Sequence, residues 1–139
     1  MKQVVAALMV RDGRILICQR TQHQTMPFKW EFPGGKIETG EQPRDALRRE
    51  LDEELGIGAT IGNEVACLEY AYSEDNTVEL RFFLVRDWEG QIDNHIFNDI
   101  HWVRRGELPG YDFLAADQKL IQDIALGKLL TRELGTEWD

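Results

Sequence analysis

Cysteine is scarce in this chain: two, Cys18 and Cys67, among 139 residues. Neither stands in a C-x-x-C pair, so no thiolate metal site is written here. Cys18 ends the apolar run Ile15-Leu16-Ile17-Cys18, and Cys67 lies in Val65-Ala66-Cys67-Leu68. Both read as small buried hydrophobes in strands rather than as disulfide partners. Long apolar runs are missing too. None approaches the roughly 18 residues of a membrane span, and the opening Met1-Lys2-Gln3-Val4-Val5 turns polar too soon for a signal peptide. The default setting is therefore reduced and cytoplasmic. Positive charge is also in deficit, with 16 Lys and Arg against 25 Asp and Glu and a net charge of −9. Such a chain is not a general binder of nucleic acid or anionic membrane, both of which need a basic face. A polyanionic substrate would need a metal ion or a few well-placed cations.

The remainder is ordinary for a soluble globular protein: 42% hydrophobic and 29% charged. The length suits one domain over 1–139, with no repeat, low-complexity segment or linker. Val4–Val10 and Ile15–Arg20 are apolar runs around Asp12-Gly13, which reads as a hairpin. A polar loop follows, then a short strand Trp30-Glu31-Phe32 closed by a turn at Pro33-Gly34-Gly35. Residues 42–55 change period: Pro43 suits a first helical turn, Leu47, Leu51 and Leu55 recur every fourth residue, and Gly56 suits the end. Glu64–Tyr72 and Thr77–Val85 read as paired strands, Ile100–Val103 as a further strand, and Ala115–Leu130 as a second helix with Leu120, Ile121, Ile124 and Leu129 inward. The residues from about 131 to 139 read as a frayed polar tail. Strands in one group with helices spaced through them indicate a mixed sheet covered by helices.

The first helix carries the chemistry. At about 100° per residue, with Glu50 at zero, Glu53 falls near −60° and Glu54 near +40°, while the three leucines fall between about 60° and 140°. Three carboxylates therefore cluster beside an apolar stripe. Like charges that close repel by a few tenths of a kcal/mol per pair. A solvated acidic face is the plain reading of such a helix. A hard divalent cation is the chemical one, because Mg²⁺ takes oxygen ligands. Upstream, Gly34-Gly35 lets backbone approach a ligand closely, and Lys36 could steady phosphate charge.

Gly35, five residues, Glu41, seven residues, then Arg49-Glu50-Leu51-Asp52-Glu53-Glu54-Leu55-Gly56-Ile57 resembles the Nudix box at all nine of its defined positions across 23 residues. The flanking Glu31-Phe32-Pro33-Gly34-Gly35-Lys36-Ile37-Glu38 resembles the MutT-like branch, and the weaker likeness extends over roughly residues 3–126. The resemblance implies an α/β fold, an α/β/α sandwich with a central mixed β-sheet. It implies Mg²⁺-dependent (or Mn²⁺-dependent) cleavage of a nucleoside triphosphate to monophosphate and pyrophosphate. By position, the Gly34 carbonyl, Glu50, Glu53 and Glu54 would be metal ligands, with Glu53 alternatively taking the proton of the attacking water. Arg49 would orient the carboxylates, and Glu41 would pair with Arg49 or reach metal through water. Arg20 and Lys36 would lie near phosphate, and Phe32, Tyr72 and Asp117 near the base, although each aromatic equally suits a core and Asp117 equally suits a helix start.

Two departures stand out. Many relatives carry a glutamate six residues before the equivalent of Trp102, where this chain has Ile96, so Asp93, His95 or Asp99 would have to substitute. The Ser73–Glu79 segment has no Arg or Lys to meet an oxidised purine. His23, His95 and His101 are scattered without metal spacing, and Trp30, Trp88 and Trp102 border strands. The leading substrate is an oxidised guanine nucleotide such as 8-oxo-dGTP, in nucleotide-pool sanitation, with CTP or a modified dCTP next. A proline some 15 residues past the box, frequent in relatives that act on ADP-ribose, is absent, since none occurs between Pro43 and Pro109. Monomer and homodimer both remain open. The rival from another class is a silent nucleotide-binding domain, which the intact box glutamates oppose.

Overall fold

A computed structural model describes residues 1–138. The chain is mixed α/β with a central mixed sheet, as expected. It divides into two compact units: Met1–Met9 with Pro33–Ile96, and Val10–Phe32 with the described residues from Phe97 onward.

In the first unit, strand β1 (Lys2–Arg11) is buried without alternation from Val5, and the run continues to Val10. A continuous apolar run is what a strand covered on both faces requires. It runs parallel to β7 (Asn76–Val85), from Lys2 opposite Val78 to Met9 opposite Val85. It also pairs antiparallel with β4 (Gly34–Lys36), Ala6 opposite Gly34. Gly34 and Gly35, read above as a turn, are thus strand residues held in a ladder. β6 (Glu64–Ser73) and β7 form the expected hairpin, Ser73 opposite Asn76. Helix α1 (Pro43–Leu55) packs on β4 and on β5 (Gly58–Thr60), which pairs with β8 (Asp87–Glu89) in a ribbon the sequence did not announce. Leu47, Leu51 and Leu55 are fully buried, each contributing about 1.5–3 kcal/mol. Cys67 is exposed, contrary to expectation. A register shift between Glu64 and Ala66 turns it outward, on the same face as Glu69 and Ala71.

In the second unit, Val10 and Arg11 pair with β2 (Arg14–Gln19) across Asp12 and Gly13, both at positive φ, completing the expected hairpin. β2 also pairs with β3 (Trp30–Glu31) and β9 (Asp99–Val103). The late helix is shorter than expected. Residues 115–117 form a 3-10 turn, α2 spans Gln118–Ala125, and Gly127 at φ 77° ends the run. Leu120, Ile121 and Ile124 face inward, but Leu130 rather than Leu129 is buried. The tail is not frayed. Thr131–Leu134 forms α3 and Gly135–Trp138 a 3-10 turn, with Leu134 and Trp138 buried. Leu130, Leu134 and Trp138 recur every fourth residue, an apolar stripe that outweighs the polar composition. Asp139 lies outside the described residues. Among the described residues, no helix is long and apolar enough to cross a membrane.

Candidate active site

Helix α1 brings Arg49, Glu50, Glu53 and Glu54 together beside β4. It opens on Pro43, whose missing N–H is no loss there, and closes on Gly56 at φ 68°, whose N–H donates to Asp52 O at 2.9 Å. The three glutamates differ sharply in environment. Glu54 is one of the buried residues of the helix, and its Oε1 accepts the Gly34 N–H at 3.0 Å. That bond offsets part of the cost of burying a carboxylate. The Glu50 side chain is 15% exposed and that of Glu53 57%. Burial raises the Glu50 pKa, and Arg49 opposes that rise.

Both glycines of β4 sit at close approaches, Gly34 against backbone and Gly35 against the Glu50 carboxylate. Gly34 has φ 154°, and a Cβ there would meet the Val5 carbonyl and lie 2.7 Å from the Ala6 Cα. A Cβ on Gly35 would lie 2.6 Å from both Glu50 carboxylate oxygens. Gly34→Ala is therefore expected to destabilise the fold by roughly 2–5 kcal/mol through backbone strain and overpacking. Urea unfolding checks this. An unchanged midpoint would mean that β4 can withdraw from β1.

Arg49 organises the carboxylates. Its Nε and Nη2 donate to the two oxygens of Glu41 at 2.8 and 3.0 Å, its Nη1 to Glu50 at 2.9 Å, and its Nη2 also to the Lys36 carbonyl at 3.1 Å. Glu38 and Glu53 lie 3.7 and 3.4 Å away. The Arg49 fork holds the Glu41 carboxyl at about 2, and its carboxylate partners raise the Arg49 pKa in turn. The fork-to-fork geometry with Glu41 is one that lysine cannot reproduce. Lys36 is exposed and lines a cavity of about 360 Å³ with Lys2, Gln3, Glu38 and Glu41.

The donor set fits a hard cation that keeps much of its water. No three His, Cys, Asp or Glu groups among the described residues form a ready-made cage. Mg²⁺ does not need one, since it is held by one or two carboxylates plus waters.

The second unit holds the other candidates. Asp117, at the start of α2, is only 4% exposed and makes no capping hydrogen bond. Burial, with the nearby Glu31 charge, raises its pKa from 3.8 to about 7. Glu31, which the sequence reading passed over, is itself raised by burial against the pull of Arg20. Arg20, read as a phosphate contact, donates to Glu31 at 2.9 Å and to Thr25 O and Oγ1 at 2.8 and 3.1 Å. Its guanidinium thus ties the loop after β2 to β3. Phe32 is buried, its ring 5.5 Å from that of Phe113. Tyr72, in the first unit, is half-buried, and Tyr70 packs edge-on against it at 4.9 Å. His23 is exposed. Asp99 pairs with His101 at 2.9 Å in the second unit, whereas Asp93 and His95 stand in the first, by the end of α1.

The profile of the family described as "NUDIX domain" matches residues 1–124. A CTP pyrophosphohydrolase of Escherichia coli (strain K12) is 39% identical over 122 residues, covering 88% of this chain and 90% of that one. An 8-oxo-dGTP diphosphatase of Haemophilus influenzae is 35% identical over 119 residues, covering 84% and 87%. Among solved structures, the solution structure of the E. coli ORF135 protein matches with a TM-score of 0.81 at 37% identity, covering 92% and 91%.

Proposed function

Since the chain belongs to the NUDIX family and is a hydrolase acting on nucleotides, we propose that it cleaves nucleoside triphosphates to monophosphate and pyrophosphate with Mg²⁺, an 8-oxo-dGTP-like nucleotide being the substrate. The observation that carries the reaction is the α1 face, where three carboxylates of graded exposure cluster beside the close-approach glycines of β4, Glu50 and Glu53 within reach of Arg49 and Glu54 on the Gly34 amide. Glu50, Glu54 and the Gly34 carbonyl would hold the ion, with Glu53 at its open side. A bound divalent ion would neutralise and polarise the phosphoryl oxygens. Glu53, the most exposed of the three, accepts the proton of the attacking water as the phosphoanhydride bond breaks. Arg49 keeps Glu50 oriented throughout, and Lys36 meets phosphate charge.

Base recognition is assigned to Asp117, with Phe32, in the same unit, as an aromatic contact. A carboxyl that titrates near 7 exists in both forms at neutral pH. Protonated, it donates to a purine carbonyl; ionised, it accepts from a cytosine amine. The second form, together with the 39% identity to a CTP pyrophosphohydrolase, supports a pyrimidine triphosphate as the second reading. Buried, perturbed carboxyls of this kind cluster at functional sites. We place the whole chain, 1–139, in one catalytic domain.

The test is turnover of a panel of standard, oxidised and methylated nucleoside triphosphates and ADP-ribose with Mg²⁺, the products resolved by ion-exchange chromatography. Monophosphate and pyrophosphate from an oxidised purine support the first reading, and from CTP the second. No turnover of any member by folded, metal-binding protein would overturn both.

A further inference from the structure

The last four carbonyls of an α-helix have no partner within it. In α1 these belong to Asp52, Glu53, Glu54 and Leu55, and all four are met. The Gly56 N–H takes Asp52 O at 2.9 Å. The other three are taken by one short segment distant in sequence. The Asp93 N–H donates to Leu55 O at 2.9 Å and the His95 N–H to Glu54 O at 3.0 Å. His95 Nδ1 lies 3.0 Å from Glu53 O. A carbonyl only accepts, so Nδ1 carries the hydrogen in this contact. The imidazole lies over Gly56, where a Cβ would come within 3.0 Å of its Cε1 and 3.2 Å of its Nε2. Its Nε2 is 3.3 Å from the Asp93 carboxylate.

The turn fixed in this way is the one that carries Glu53 and Glu54. We propose that His95 is a positioning residue, which clamps the C-terminal turn of α1 and so holds the Glu53 and Glu54 carboxylates where the metal ion needs them. In this chain the loop 93–95 gives the site order rather than a ligand, next to the position where Ile96 stands half in solvent at 45% exposure. Partners one bond removed from a metal ligand typically matter about 10–100-fold in metal affinity. The inference rests on the reading that α1 carboxylates hold the ion.

The experiment is Mn²⁺ titration of the nucleotide-free protein, followed by the EPR signal of free Mn²⁺, with amide hydrogen exchange of Gly56, Asp93 and His95 measured alongside. His95→Ala is expected to weaken Mn²⁺ binding about 10-fold and to speed exchange at these amides. It should lower kcat more than it changes KM for nucleotide. His95→Asn, whose side-chain amide can sit where Nδ1 does, is expected to restore both Mn²⁺ binding and slow exchange. Equal Mn²⁺ affinity in wild type and His95→Ala would overturn the proposal. So would slow exchange restored in His95→Asn without recovery of Mn²⁺ binding. Wild-type protein that binds no Mn²⁺ would instead bring down the metal site itself, and the clamp's role with it. Wild type that binds Mn²⁺ yet turns over no nucleotide refutes only the proposed reaction.

Discussion

Glu53→Gln is expected to lower metal-dependent turnover about a thousandfold, as loss of a positioned general base does, while leaving stability within about 0.5 kcal/mol of wild type. The two halves of that expectation come from one fact. Among the three glutamates of α1, Glu53 has the most solvent-open side chain, and its contact with Arg49 is long at 3.4 Å. Little packing and no short hydrogen bond are lost when its charge goes. Its neighbours offer no such separation. Glu54 is buried on a backbone amide and Glu50 is tied to Arg49 at 2.9 Å, so changes there disturb fold and chemistry together. Steady-state kinetics with Mg²⁺, paired with urea unfolding, checks both halves. A Glu53→Gln protein that kept near wild-type kcat would move the proton-accepting role to Glu50.

The second large effect is in pH. An Asp117 carboxyl in the unfolded chain loses its proton near 3.8, and in the folded chain near 7. Between those values the folded protein holds a proton that the unfolded one has released. The contribution of this group is therefore fully favourable below about pH 4 and declines as pH rises to about 7. Above that, burying the ionised form costs on the order of 4 kcal/mol. The groups around it do not cancel the effect. Glu31 adds to it by repulsion, and Arg20 is bound to Glu31. Asp117→Asn is expected to match wild-type stability near pH 4 and to exceed it by several kcal/mol at pH 8, with the slope between largely removed. Denaturant unfolding across that range gives the answer; an unchanged slope would mean that Asp117 is ionised and hydrated in the folded protein. The same titration bears on selectivity. Turnover of an oxidised purine relative to CTP should fall in wild type as pH rises through about 7, and stay flat in Asp117→Asn.

Much of the first unit was legible because its signals are strong and local. Three leucines at every fourth position, a proline before them and a glycine after them place α1 and its acidic face without a structure. The hairpins were equally plain from apolar runs around short turns. What escaped were features decided by tertiary contact. Gly34-Gly35 carries turn residues, yet β1 recruits it into a ladder. The ribbon of Gly58–Thr60 with Asp87–Glu89 is too short to show alternation. Cys67 lies in an apolar run, but one extra residue in β6 reverses the face it presents. The partners of Arg20, Glu31 and Thr25, have no sequence signal, since the fold of the loop after β2 brings them together. The tail was misjudged by composition, although the spacing of Leu130, Leu134 and Trp138 was there to be read. The His95 clamp had no sequence signal at all, since it joins positions 42 apart.

Glu54 sets a trade-off into the molecule. It occupies a place on the apolar face of α1 that methionine or leucine would fill at lower cost, since replacing a buried ionic group by a packed hydrophobe is often neutral or stabilising. Selection for robustness alone would drift toward that exchange and, on the reading proposed here, would end catalysis in one step. Stability in this fold is therefore capped at a position where chemistry holds the veto, and directed evolution that screens for heat resistance before activity should find its dead variants there.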